Sequence, residues 1–283
     1  CVTPVEMIDK AIHLAENRQV LFTTFGDMMR VPGSNGDLLA AKSRGADVRM
    51  LYSPLDALTL AEQHPDKQVV FWAIGFETTA PATALAVWMA REKRVKNFSL
   101  LVSHVLVPPA MRRLLASPQN RVQAFLAAGH VCAVTGWQPY QSIAEEFHTP
   151  IVVTGFEPVD LLLGIHRAMQ LLRTDCARVD NAYGRVVRRY GNEAAMKRIA
   201  DVYCECDQTW RGLGLISAGG LRLREEFADY DAEKIFDLQS DHKAESGPCI
   251  SGLILQGLKK PSDCPSFCVD CTPEHPLGAP MVS

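Results

Sequence analysis

The sequence predicts an α/β protein made of two parallel-sheet units followed by a small cysteine-rich tail. Three observations carry this. Short apolar runs alternate with longer amphipathic ones over residues 5–103. The alternation restarts beyond residue 121, and from about residue 240 the composition turns to Pro, Cys, Gly and polar residues. Strands that are apolar on both faces and alternate with helices belong to parallel sheets covered on both sides.

The elements follow in order. Thr3-Pro4-Val5-Glu6 is a capping-box pattern with Pro4 at the first helical position, and it predicts a helix to about residue 17. Residues 19–24 read as a strand, and Phe25-Gly-Asp-Met-Met-Arg-Val-Pro-Gly33 as a loop. Helix is expected over 37–44, strand over 47–52 and helix over 54–63. Strand then follows over 68–74, helix over 79–93 and strand over 97–103. In the second unit, residues 121–128 read as helix, 131–135 and 151–154 as strands, and 158–172 and 192–206 as helices. Residues 214–223 read as extended and interrupted by Gly219-Gly220. The expected units are 1–107, 108–238 and 239–283.

At 283 residues, 47% hydrophobic and 22% charged, the chain can bury a separate core in each of two globular domains. Its net charge of -3 provides no basic surplus for phosphates, so no nucleic-acid partner is expected. No apolar run reaches membrane-spanning length, so no membrane partner is expected either. The chain opens on Cys1 without a methionine and closes on Met281-Val-Ser283, so both ends read as cut. Nine cysteines in a chain this long do not suggest a disulfide scaffold. Clustered as they are, they suggest metal binding in a reducing compartment, the cytoplasm.

Four of them fall in 23 residues, as Cys249-x14-Cys264-x3-Cys268-x2-Cys271. Thiolates at this density hold a metal, and the spacing is equally compatible with zinc and with an iron–sulfur cluster. Cys1 precedes the first helix, whose dipole would favour its thiolate. Cys204 and Cys206, two apart on an expected helix, point to opposite faces and should not chelate together. Cys132 and Cys176 read as buried small hydrophobes.

Sites in open α/β sheets form at the carboxyl ends of the strands, which here carry Glu77, His104 and Glu157 among others. No glycine-rich dinucleotide or P-loop motif is present. Ile74-Gly-Phe-Glu-Thr-Thr79 and Thr154-Gly-Phe-Glu-Pro158 each follow an apolar strand and open a helix. They are either a chance repeat in two similar turns or the mark of two related units facing one another. Glu77 and Glu157 are either a carboxylate pair or separate residues complementing their own helix dipoles. His104 and His130 sit near predicted strands, where a structural histidine is the ordinary case.

Cys1-Val-Thr-Pro, the 25–33 loop, Asp47-Val-Arg-Met-Leu-Tyr-Ser-Pro-Leu-Asp-Ala57, Gly75-Phe-Glu-Thr-Thr-Ala-Pro81, Val107-Pro-Pro-Ala110, Gly155-Phe-Glu-Pro158 and Cys264-Pro…Cys271-Thr-Pro resemble the HypD family of hydrogenase maturation proteins over nearly the whole chain. The resemblance implies a scaffold and redox role in building the Fe(CN)2CO group of [NiFe] hydrogenases. It implies a HypC-type chaperone and a HypE-type cyanide donor as partners. It also implies two α/β domains around a cleft and a third domain carrying a [4Fe-4S] cluster. Cys1 would be the second cysteine of a C-P-x-C thiol–disulfide pair. The Glu77 and Glu157 segments would line the cleft, with His130 counted among the reactive residues. Cys249, Cys264, Cys268 and Cys271 are the candidate cluster cysteines.

The chain also departs from the family pattern. The first cysteine of the pair and an upstream C-G-G-H-T-H segment, which carries the expected iron ligand, are not in this chain. Ala128-Gly-His130 stands in place of Pro-Gly-His, Ser251 in place of a cysteine, and Cys268 in place of glycine. Pro280 stands in place of another cysteine. Cys249, Cys264 and Cys271 match family cysteines, and a fourth ligand is either Cys268 or beyond residue 283. Two other classes remain open: a zinc-stabilised α/β binding module without redox chemistry, and a metabolic enzyme using Glu77 and Glu157.

Overall fold

The structure, a computed structural model, describes residues 2–238 and 249–282. Its first unit runs α1 (Val5–Glu16), β1 (Val20–Thr24), α2 (Leu38–Ser43), β2 (Val48–Met50), α3 (Pro54–Gln63), β3 (Gln68–Gly75), α4 (Ala80–Lys93) and β4 (Phe98–Val105). Strands β2, β1, β3 and β4 lie side by side and parallel, in register Phe22↔Val48, Phe22↔Val70 and Val70↔Ser99. The sheet is covered on both faces because successive strand residues point to opposite sides. Val70, Trp72 and Ile74 pack with Ile8, Ala11 and Leu38 of α1 and α2. Val69, Phe71 and Ala73 pack with Ala57, Ala84 and Val87 of α3 and α4.

Local chemistry explains several boundaries. Asp37 and Ser53 accept from the backbone N–H groups of Ala40 and Leu55 and so start α2 and α3, the second helped by Pro54. The expected capping box at Thr3 does not form. Pro4 is itself the residue before α1, extended at ψ 147°, with no side-chain cap.

The second unit contains α5 (Val107–Leu115), β5 (Phe125–Ala128), α6 (Gly129–Thr135), α7 (Gln138–Glu146), β6 (Ile151–Thr154), α8 (Pro158–Arg173), β7 (Val179–Asn181) and α9 (Glu193–Val202). Strands β5, β6 and β7 form a parallel three-stranded sheet. Its core joins Ala127, Ile151 and Val153 to Cys132, Tyr140 and Ile143 of α6 and α7.

Here the structure reverses two expectations: 121–128 is not helix and 131–135 is not strand. Phe125–Ala128 pairs with β6, and α6 begins directly at Gly129. The turn needs glycine, since a Cβ there would lie 2.5 Å from the Thr154 carbonyl oxygen.

The helix expected over 192–206 ends at Val202, and the chain continues as β8 (Tyr203–Trp210) and β9 (Gly214–Leu223). Cys204 and Cys206 are therefore two apart on a strand and share one face, not opposite faces of a helix. The β8–β9 hairpin pairs antiparallel with β4 through His104↔Leu221 and Val105↔Gly220. The first sheet is accordingly mixed, with order β2-β1-β3-β4-β9-β8, and not the all-parallel sheet expected. Residues 203–223, allotted by sequence to the second unit, belong to the sheet of the first.

The tail from Cys249 to Val282 is mostly turns, with single helical turns at Ser251–Leu255 and Ala279–Val282. Ala279 is buried in the α1-side core of the first unit, which anchors the tail there. Among the described residues, no helix is long and apolar enough to cross a membrane.

Candidate functional site

The tail folds around an apolar pocket of about 580 Å³. Cys249, Cys264 and Cys271 all line it, together with Val2, Arg211 and Pro280. Cys264 is set by the tight turn Pro261–Asp263, whose Asp263 carboxylate accepts from the Lys260 N–H at 2.8 Å. The Cys271 N–H donates to the Ser266 carbonyl at 2.8 Å, and the Leu277 N–H donates to Cys271 Sγ at 3.4 Å. An N–H donor to sulfur stabilises the thiolate form, which is the form that binds metal.

Cys268 does not line this pocket. It is exposed and left-handed at φ 58°, at the corner of the turn closed by its N–H donating to the Cys271 carbonyl.

Three cysteines around one apolar pocket are the donor type taken by zinc and by iron–sulfur groups alike. A zinc ion needs its thiolates about 2.3 Å from a single point, whereas the thiolates of a cluster bind different irons. Among the described residues, no group of three or more His, Cys, Asp or Glu is drawn together as a metal centre. An apolar lining also suits a group that must be kept from solvent.

A second feature lies at the carboxyl end of β3. Gly75 turns the chain at φ 119°, and Thr79 Oγ1 donates to the Ile74 carbonyl at 2.9 Å. This directs Glu77 inward, where it is only 3% exposed. Its Oε1 accepts from the Val107 N–H at 2.9 Å, filling a free donor at the start of α5. Its Oε2 is enclosed with no hydrogen-bond partner. Burial pushes its pKa up to about 7.

Cys132 and Tyr140 of the second unit stand close by. Burial pushes the Cys132 thiol up to about 12, and the Glu77 charge adds to the shift. Burial likewise raises the pKa of the Tyr140 hydroxyl, and the neighbouring Cys132 adds to the shift. Glu77 thus bridges the two units.

His104, at the end of β4, is fully buried. Tyr203 donates to Thr83 Oγ1 at 2.9 Å, and Thr83 Oγ1 lies 2.8 Å from His104 Nε2. His104 Nδ1 faces the Gly75 carbonyl at 3.4 Å. Burial lowers its pKa to about 4, so it is a neutral structural histidine.

The Glu157 segment is chemically unlike its echo. Glu157 is 77% exposed and ion-pairs with Arg185 at 3.2 Å. Arg185 also donates to both oxygens of the buried Asp160, at 2.7 and 2.6 Å, holding that carboxyl below its usual range. Phe156 is exposed and lies 5.0 Å from the ring of His130, itself exposed with its pKa lowered by partial burial. Glu77 and Glu157 therefore do not form a carboxylate pair. One is buried and half-satisfied, while the other is exposed and paired. Cys1 lies outside the described residues.

The pocket and the Glu77 turn share a wall. Val2, Trp210 and Ile216 form one buried cluster with Phe76, and Val2 and Arg211 face the pocket. Sequence reasoning missed Arg211 and Tyr140, which reach these places only through long-range packing, while Cys132 is buried as expected.

The fold and sites define an α/β protein with a cysteine-lined apolar pocket set against a buried carboxylic acid. The chain belongs to the HypD family. The HypD model, described as the hydrogenase formation hypA family, matches residues 1–283. The chain is similar to hydrogenase maturation factor HypD2 of Bradyrhizobium diazoefficiens, at 45% identity over 291 residues, covering 100% of this chain and 77% of that protein. It is 44% identical over 291 residues to hydrogenase maturation factor HypD of Cupriavidus necator, with 100% and 77% covered. To hydrogenase maturation factor HypD of Escherichia coli K12 it is 45% identical over 284 residues, with 100% and 76% covered.

Proposed function

We propose that this chain is a hydrogenase maturation factor, a scaffold on which the Fe(CN)2CO group of [NiFe] hydrogenases is assembled. Family membership and the names of its relatives support the maturation role. The observation that carries the chemistry is the convergence of Cys249, Cys264 and Cys271 on one apolar pocket beside the Glu77 turn.

In this reading those three thiolates hold a [4Fe-4S] cluster, which supplies single electrons when bound. The Leu277 N–H donates to Cys271 Sγ and helps to hold that sulfur in place. The iron bearing cyanide and carbon monoxide is the cargo, and soft thiolates are its suitable ligands. By resemblance Cys1 belongs to the thiol pair serving that cargo. Glu77 holds a proton at its carboxyl up to about pH 7 and releases it above, a proton store at the junction of the units. His130 and Glu157 mark the exposed end of the second sheet, where a HypC-type chaperone and a HypE-type cyanide donor would dock. The proposed location is the cytoplasm.

Anaerobic reconstitution with ferrous iron and sulfide tests this. Iron with acid-labile sulfide is expected, lost together in a Cys249→Ala, Cys264→Ala, Cys271→Ala triple variant. Hydrogenase activity in cells lacking their own HypD-type factor should return with the intact gene and fail with that variant. One zinc per chain and no sulfide would instead support a zinc-stabilised binding module.

A further inference from the structure

Among the described residues, Arg211 is the one charged side chain lining the cysteine pocket, and it lies in the turn between β8 and β9. It is 8% exposed, and its Nη1 is enclosed with no hydrogen-bond partner. The backbone holds it in place: its N–H donates to the Val2 carbonyl at 2.8 Å. The 277–280 loop closes over it so tightly that a Cβ on Gly278 would collide with the guanidinium.

An arginine cannot discard its proton, so this charge is permanent. An enclosed guanidinium N–H with no partner is unfavourable unless an acceptor joins it. Among the described residues, no Asp or Glu lines the pocket. Among the described residues, the groups facing it that can turn negative are the thiols of Cys249, Cys264 and Cys271. Three thiolates around an iron–sulfur core leave a net negative charge in an apolar cavity, so the charges are complementary.

We propose that Arg211 is the resident counter-cation of this pocket, its Nη1 donating to a thiolate or sulfide sulfur of the bound iron–sulfur group and raising its reduction potential. This rests on the cluster reading given above. The sign follows from Coulomb's law. One-electron reduction adds a negative charge, and a fixed cation lining the same apolar pocket favours the reduced form.

The test compares wild type, Arg211→Gln and Arg211→Lys after anaerobic reconstitution with ferrous iron and sulfide. Iron, acid-labile sulfide and the midpoint of a dithionite titration followed by electron paramagnetic resonance are measured. Arg211→Gln should load and show a midpoint shifted to more negative potential, with Arg211→Lys nearer wild type. Failure of the Gln variant to load while the Lys variant loads also supports the counter-cation. Without metal, Arg211→Gln should melt no lower than wild type, because it loses an enclosed N–H with no partner. A fully loaded Gln variant with an unchanged midpoint overturns the role, as does a metal-free Gln variant that melts well below wild type. Failure of wild type itself to take up iron and sulfide overturns the cluster reading and this inference together.

Discussion

The Phe76 ring packs against the Trp210 indole, centroids 6.1 Å apart and planes inclined at 61°. Phe76 directly precedes the buried Glu77, and Trp210 directly precedes Arg211 of the cysteine pocket. The sheet makes this meeting possible. β9 pairs with β4, so the hairpin turn carrying Trp210 is brought over the carboxyl end of β3. Two chemically distinct features, a protonatable carboxyl and a set of thiols, therefore share one apolar wall. Rigid packing of this kind fixes both positions, since interiors transmit displacement with little compression.

Trp210→Ala should cost about 3–5 kcal/mol, the usual range for removing a large buried aromatic. It deletes the packing on Phe76 and the indole N–H bond to the Gly219 carbonyl at 2.9 Å. Chemical denaturation measures the loss. Trp210→Phe, which keeps most of the volume, should cost clearly less. Equal losses in the two variants would show that the bond to Gly219, not the packing, fixes this wall.

Glu77 gives a stability signature with a definite sign. Its folded pKa of about 7 stands above its ordinary value of 4.5, so the folded state holds the proton more tightly. The contribution is fully favourable below pH 4.5, declines as pH rises, and is gone above about pH 7. Glu77→Gln keeps an acceptor for Val107 and removes the titration. Above pH 7 the variant should be more stable than wild type by on the order of 3 kcal/mol. Melting temperatures across pH 5–8 check this, and curves that stay parallel would refute the shift.

His104 titrates with the opposite slope. Its folded pKa is lowered from 6.5 to about 4, so below pH 6.5 the unfolded chain binds a proton that the folded protein refuses. Its stability contribution is complete above pH 6.5 and is lost as pH falls toward 4. Between pH 4.5 and 6.5 it therefore offsets the Glu77 slope. Removing Glu77 should expose it: Glu77→Gln should lose stability on acidification through that window more steeply than wild type. An NMR titration in which the His104 ring protonates near pH 6.5 would contradict the assignment.

The legible parts of this chain were those written locally. Ser53-Pro54 announced α3, and the apolar run of β3 announced a central strand. Residues 125–135 failed because Phe125-Leu-Ala-Ala and Val131-Cys-Ala-Val are both short apolar runs. Their assignment depends on pairing with β6 and on a close approach that only Gly129 allows. Tyr203 to Trp210 failed because its extended state comes from the antiparallel hairpin with β9, which in turn docks on β4 more than a hundred residues upstream, and this pairing overrode local pattern. In the site, the tail cysteines were visible from spacing and Glu77 from its place after a strand. The burial of Glu77, the exposure of Glu157 and the arrival of Arg211 at the thiols are properties of packing, which no local pattern encodes.

The last expectation separates the four tail cysteines. Spacing alone treats Cys249, Cys264, Cys268 and Cys271 alike, but Cys268 is exposed at a left-handed corner and is not among the residues lining the pocket. Turning it inward would require undoing the bond from its N–H to the Cys271 carbonyl, and Cys271 is itself a pocket residue. Cys268→Ser should therefore keep close to wild-type iron and sulfide, whereas Cys264→Ser or Cys271→Ser should lose most of both. Cys268→Gly relieves the positive φ and should also be neutral or slightly stabilising. Iron and acid-labile sulfide per chain decide the matter. If Cys268→Ser loses as much as Cys264→Ser, the turn must rearrange on binding, and Cys268 is a fourth ligand.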